Sequence, residues 1–304
     1  MYDLGFVSAI FADKTFEEVI DFASDHGFKC VELMCWPLGK AERRYAGVTH
    51  IDVDALDELK INYIQSYLRK KNVYISGLGY YPNPLDADEE KRTFYINHIK
   101  KVISAAALLN IPVVNTFIGR HQMLGLKENL ELFQKHWPSI IQHAGVNKVK
   151  IGIENCPMFF STDEWPNGKN IAISPDIWQQ LFDVEGGEHL GLNYDPSHLV
   201  WQQMDYLLPL KEFSEKLFHI HLKDAKVYRD KLNRVGILAT PLEYHSPKLP
   251  GHGDINWKTF FESLRKSGYH GPVVIEFEDK SYESNEALII QGLLETKTFV
   301  EQYC

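Results

Sequence analysis

Short apolar runs of strand length alternate with longer stretches whose apolar residues recur at helical spacing, from one end of the 304-residue chain to the other. Leu4–Ile10 is the first strand candidate. In Thr15–Gly27, which follows it, Phe16, Val19, Ile20, Phe22 and Ala23 fall on one helical stripe. Thr15 with Glu18 forms a capping box that satisfies free N–H groups of the first turn, and Gly27 supplies a stop. Further strands are predicted at Cys30–Met34, Val73–Leu78, Val113–Ile118, Lys150–Glu154, Leu190–Asp195, Leu217–Leu222 and Val273–Phe277. Helices are predicted at Asp54–Lys71, Asp88–Asn110, Lys127–Asn147 (bent or broken at Pro138), Pro175–Phe182, Trp257–Gly268 and Asn285–Tyr303. A helical stretch is expected around Tyr206–Phe213, and Lys226–Pro250 reads as a long insertion after the seventh strand.

Eight β/α units whose strands are apolar on both faces predict an α/β protein, a (β/α)8 TIM barrel forming a single domain over residues 1–304. A doubly wound open sheet usually has fewer units and a glycine-rich first turn, which this chain lacks. No linker, low-complexity segment or charge block divides the sequence.

At 44% apolar and 24% charged residues, the composition is that of a globular protein with material for a large core. The net charge of −9 argues against a surface that neutralises many phosphates, so no nucleic-acid partner is expected. A local basic pocket for one phosphorylated substrate remains compatible with it. No stretch approaches the ~18 apolar residues of a membrane span. The N-terminal segment has no basic region, and its apolar run is broken by Asp13 and Lys14, so it reads as a strand and helix start rather than a signal peptide. Cys30, Cys35, Cys156 and Cys304 form no CxxC pair, and reduced thiols in a cytoplasmic protein are the expectation.

Barrel enzymes place their chemistry at the C-terminal strand ends. Glu154, Asp195, His221 and Glu276 fall at or near the last residues of predicted strands five to eight. One such carboxylate is ordinarily a solvated loop residue or a cap, and one histidine a hydrogen-bonded core residue. Four on adjacent strands, each after an apolar run, need partners or a metal. Three carboxylates with one imidazole suit a hard or borderline cation such as Mn²⁺, Mg²⁺ or Co²⁺. If these four face the lumen, so do Gly152, Asn193, His219 and Val274, and Asn193 and His219 become candidates for orienting the ligands. Glu278 shares the parity of Glu276 but lies beyond the strand. Candidate substrate contacts are His198 at the start of the sixth βα loop, Lys223 on the lumen parity of strand seven, and Trp36 at the mouth of strand two as an apolar wall for a sugar ring.

The segments IENCP, NYDPSHL, HIHLKD, PGHGDINW and VVIEFED, with LGFVSAI and CVELMCWP near the start, resemble the sugar phosphate isomerase/epimerase superfamily, the xylose isomerase-like TIM barrels. The resemblance covers nearly the whole chain and is specific at superfamily level. It implies one divalent metal ion, Mn²⁺ first with Mg²⁺, Co²⁺ or Zn²⁺ as alternatives, held by Glu154, Asp195, His221 and Glu276 as in the ketose 3-epimerases. His198 then helps to bind substrate. The implied activity is isomerisation or epimerisation of a keto-sugar or sugar phosphate by proton transfer α to a carbonyl, through an enediolate that the cation stabilises. Glu154 and Glu276 would double as base and acid, while Asp195 and His221 serve as ligands only. The chain departs from the ketose 3-epimerase pattern at Phe160, where a second glutamate is expected, and at Val227, where an arginine is expected. Dehydration of an inosose would use the same site. An endonuclease IV-like zinc nuclease would need further histidines on strands two to four and an Asp-x-His after strand seven. Here Val73–Leu78 has no histidine and the comparable stretch is Asp230-Lys231-Leu232, leaving His121 as the one residue in favour. A barrel that binds sugar without turnover is the remaining alternative. Barrels of this type often pair, so a homo-oligomer is among the expected partners.

Overall fold

Eight of the apolar runs lie side by side as parallel strands. In the computed structural model, which describes residues 1–39, 46–159 and 161–304, the strands are β1 (Leu4–Val7), β2 (Cys30–Met34), β3 (Tyr74–Gly79), β4 (Val113–Thr116), β5 (Lys150–Glu154), β6 (Leu190–Tyr194), β7 (Leu217–Leu222), β8 (Asp224–Val227), β9 (His245–Lys248) and β10 (Val273–Ile275). They close into a barrel in the order β1-β10-β7-β6-β5-β4-β3-β2, with β8 and β9 forming a separate two-stranded sheet. The expected (β/α)8 architecture is therefore present, and the C-terminal strand ends share one mouth. Position 160, where Phe160 departs from the ketose 3-epimerase pattern, lies outside the described residues, as do positions 40–45.

The helices sit where apolar periodicity puts them. Phe16–Asp25 opens on the expected capping box, Glu18 N–H donating to Thr15 Oγ1 and Thr15 N–H to Glu18. Under this helix Phe6, Phe11, Phe22 and Phe28 pack edge to face, with the Phe6 and Phe28 centroids 5.0 Å apart. Asp88 caps Glu89–Leu109, whose Lys91, Phe94 and Tyr95 share a face at i, i+3, i+4 spacing. Among the described residues no helix is long and apolar enough to cross a membrane.

Two local expectations need correction. Strand one stops at Val7 rather than Ile10, because Ser8 turns its hydroxyl inward to the Met34 amide and His50, and Ser8–Phe11 is a 3-10 turn. The helix expected over Asp54–Lys71 starts at Glu58, where the Asp57 side chain accepts the Lys60 N–H. The break expected at Pro138 is present: Lys127–Asn147 forms two helices, Leu126–His136 and Pro138–Asn147, divided where Pro138 has no N–H to give. The insertion expected after strand seven has secondary structure of its own. β8 pairs antiparallel with β9, the helix Arg229–Val235 bridges them, and Trp201, Ala225, Val227, Leu232 and Tyr244 form a small core beneath.

The lumen carries a polar layer below the mouth. Ser76, Asn115, Asn193 and His219 are all buried there, and Gly152 fits between them. A methyl group at Gly152 would meet Asn115 Oδ1 at 2.4 Å and Asn193 Cβ at 3.3 Å.

Candidate active site

β5, β6, β7 and β10 are successive neighbours in the barrel, so the groups at their ends converge. Glu154 closes β5, and Asn170 holds the turn after it by donating to the carbonyls of Glu154 and Cys156. Asp195 follows β6 and is clamped through its backbone by Asn155, whose amide exchanges two 2.8 Å hydrogen bonds with it. The Ser197 N–H occupies Asp195 Oδ1, which leaves Oδ2 aimed inward. His221 lies on β7, and Glu276 continues β10 by donating its N–H to the Leu222 carbonyl.

Ligand atoms of Glu154, His221 and Glu276 lie within 4.8 Å of one another. Asp195 stands beside this group, joined to it by Lys223. The Lys223 ammonium is 2.8 Å from Glu276, 2.9 Å from Asp195, 3.2 Å from Glu278 and 3.9 Å from Glu154, and its side chain is only 2% exposed. Lys223, expected to face substrate, thus lines the cavity while neutralising the acids around it. Burial alone would lower its pKa, but Asp195, Glu276 and Glu278 raise it well above the ordinary lysine value.

The same field separates the two glutamates. Burial raises the Glu154 pKa, and the charge of Glu276 adds to the rise. Burial also acts on Glu276, but Lys223 and His221 overcome it and bring its pKa down to about 2. The surroundings thus push the two carboxyls in opposite directions.

His198, on the short helix Ser197–Trp201, brings Nε2 to 3.1 Å from Asp195 Oδ2 and 3.6 Å from Glu154. Trp201 donates its indole N–H to His198 Nδ1 at 3.4 Å, and its ring stacks on His245 of β9. The insertion therefore reaches the site indirectly, by supporting the wall behind His198. Trp36 is half-buried, packs edge-on against Tyr80, and lines the same cavity as Glu154, His221, Lys223 and Glu276. Trp36, Glu154, His221, Lys223 and Glu276 line one cavity, and Asp195 and His198 adjoin it through Lys223 and Glu154.

Sequence reasoning missed Glu32. This fully buried carboxylate on β2 reaches across the barrel to His221 Nε2 at 2.7 Å and accepts a short hydrogen bond from Tyr81. His221 therefore meets Glu32 at Nε2 and Glu276 at Nδ1, 3.1 Å away. Burial would lower its pKa, but these two acids raise it well above the usual histidine value. Glu32 sits on an apolar strand like the three expected acids and the histidine, so the same signal was there to find. Asn193 and His219 do form the supporting layer, through Asn193–His221, His219–Asn193 and His219–Ser76 contacts of 3.0–3.1 Å.

These residues fit a divalent cation. Three ligand atoms already cluster, Asp195 Oδ2 and His198 Nε2 are buried without a hydrogen bond of good geometry, and the donor set is oxygen-rich with one imidazole oriented from behind by a carboxylate. The Lys223 ammonium shows that the acids stabilise positive charge between them.

Comparison with known proteins agrees with this architecture. The sequence profile of the Xylose isomerase-like TIM barrel family matches residues 20–298, and the chain belongs to that family. It is 25% identical over 311 residues to the uncharacterized protein YfiH of Bacillus subtilis, covering 91% of this chain and 92% of that protein. It is 26% identical over 148 residues to the inosose dehydratase of Geobacillus thermodenitrificans, a match spanning 45% of each chain. Among solved structures it resembles an IolI protein with a bound zinc atom (TM-score 0.72, 17% identity, covering 100% of this chain and 99% of that one). It also resembles D-psicose 3-epimerase determined in the presence of D-fructose (TM-score 0.70, 13% identity, covering 100% and 99%).

Proposed function

We propose that the chain is a divalent-metal-dependent isomerase or epimerase that moves a proton on the carbon next to the carbonyl of a keto-sugar or sugar phosphate. The observation that carries this reading is geometric: Glu154 and Glu276 stand close together with His221 in one cavity at the barrel mouth, with Asp195 and Lys223 beside them. A divalent cation held by Glu154, Asp195, His221 and Glu276 would supply Lewis acidity at the substrate carbonyl. Glu276, held as the carboxylate, can accept a proton from carbon, and Glu154 can return one from another direction. Lys223 and His198 place positive or N–H groups where negative charge grows on the substrate oxygens. Glu32 keeps the His221 ring in one orientation. Trp36 and Phe117 give the sugar an apolar face and keep water from the carbon being deprotonated.

Dehydration of a keto-polyol is the second reading, favoured by the match to inosose dehydratase. Glu154 would then protonate a departing hydroxyl group instead of returning the proton to carbon. Incubation in D₂O with keto-sugars, sugar phosphates and inososes, with Mn²⁺ or with chelator, tests both. Metal-dependent deuterium at a single carbon is the expected result, and metal-dependent loss of water would select the dehydratase. A panel with neither exchange nor elimination would overturn the reading.

A further inference from the structure

Trp201 joins the small core of the β8–β9 insertion to His198. Its ring is buried, lies on His245 at 25° with the centroids 5.0 Å apart, and meets Phe159 edge-on. His245 is fixed in turn, its Nδ1–H donating to the Pro241 carbonyl at 2.6 Å. Held on both sides, the indole points its Nε1–H at His198 Nδ1 from 3.4 Å. An indole nitrogen can only donate. Nδ1 must then present its lone pair, because a proton there would set two donors against each other. The hydrogen of the neutral His198 ring falls to Nε2, the atom that faces Asp195 Oδ2 at 3.1 Å and Glu154 at 3.6 Å.

The consequence is chemical. Glu154, Cys156 and His198 also bring ligand atoms within 4.8 Å of one another, a mixed donor set of the kind that Zn²⁺ accepts. A histidine that binds a metal turns its lone pair to the ion and its N–H to an acceptor behind. Behind His221 stands the Glu32 carboxylate, an acceptor. Behind His198 stands an indole, a donor. We infer that Trp201 is a positioning residue: braced by the insertion, it holds His198 with Nε2–H towards the acids, so that this ring gives a hydrogen bond to an oxygen in the site and is not the ligand of a second cation. Resting on the proposed proton-transfer reading, that oxygen belongs to the substrate; the placement of the hydrogen is independent of the reaction. The insertion thereby acquires a task, which is to set the polarity of one ring in the site.

Long-range ¹H–¹⁵N correlation spectra of the full-length protein, labelled at its histidine nitrogens and kept in saturating Mg²⁺, read the protonation of each ring nitrogen. His198→Gln identifies the His198 signals by their loss. The expected pattern is an unprotonated Nδ1 and a protonated Nε2. Trp201→Phe keeps an aromatic ring against His245 but has no N–H to give. In that variant the ratio of the Nε2–H form to forms with a proton on Nδ1 should fall about fivefold, the worth of one neutral hydrogen bond. Titration of the parent with Co²⁺ should reach saturation without a thiolate-to-cobalt absorption band from Cys156. The expected spectra in a protein that exchanges deuterium into no sugar would keep this inference and remove the proposed reaction. A protonated Nδ1 in the parent, a Trp201→Phe spectrum identical to the parent's, or a second Co²⁺ bound with a thiolate band would each overturn it.

Discussion

The two halves of the barrel mouth are built from different chemistry. The half formed by β5, β6, β7 and β10 contributes Glu154, Asp195, His221, Lys223, Glu276 and Glu278, and nearly every group there is charged and paired. The half formed by β1 to β4 faces the same cavity with Val7, Ala9, Met34, Trp36 and Phe117. On the proposed reading, this division would assign reaction and recognition to separate strands, one side moving protons and the other offering a dry surface. Glu32 is the exception that supports the rule. It arises on the apolar half, is wholly buried, and spends its charge on His221 across the barrel instead of on the cavity. Burying such a carboxylate is unfavourable unless it is paired, and the paired ring is one of the groups that must not rotate.

The sharpest way to break the comparison is to neutralise the charged half. Glu154→Gln and Glu276→Gln should each lower the proton-exchange rate by about a thousandfold while circular dichroism shows the fold retained, as expected for loss of a positioned acid or base. Rates within a few fold of the parent would mean that the charged half does no chemistry. Next in size is Lys223→Met. Without the ammonium, Asp195, Glu276 and Glu278 are left as close like charges, and the metal-free protein should lose about 3 kcal/mol of stability in denaturant unfolding. Saturating Mn²⁺ should restore much of this loss, because the same acids would then bind a cation. A variant as stable as the parent without metal would show that Lys223 does not hold the acids together.

Glu32→Gln tests the link between the halves. The ring of His221 would keep a hydrogen-bonding neighbour but lose the charge behind it, and metal affinity measured by calorimetry should fall about tenfold to a hundredfold. Unchanged affinity would reduce Glu32 to a packing residue.

The charged half was more legible in the sequence than the apolar half, and the reason is physical. A glutamate at the end of IGIE or VVIE violates an otherwise apolar run, so Glu154 and Glu276 stand out against their own strands. The eight-fold alternation shows for the same reason, since strand and helix periods differ. Val7, Met34 and Phe117 carry no such contrast, because a side chain in a cavity wall and one in the core have the same apolar character. Glu32 broke its strand pattern as clearly, but its partner lies 189 positions away, and only barrel closure brings β2 opposite β7. The β8–β9 hairpin was unreadable for another reason. Its β9 strand, HSPK, is largely polar and contains Pro247, so its pairing with DAKV rests on tertiary support from Trp201 and Tyr244 and not on local pattern.

The smallest expected effect falls on the apolar half, and it is the one that sharpens the comparison most. The Trp36 ring packs edge-on against Tyr80 at the rim. If this half only binds, then Trp36→Leu should raise the KM for the reacting sugar by about fivefold while kcat stays within a factor of two, the pattern of lost uniform binding. A fall in kcat with KM unchanged would mean that the indole acts in the transition state, and that recognition and reaction are not divided between the halves after all. Steady-state exchange rates over a range of sugar concentrations distinguish the two, with melting temperature as the control that the rim still folds.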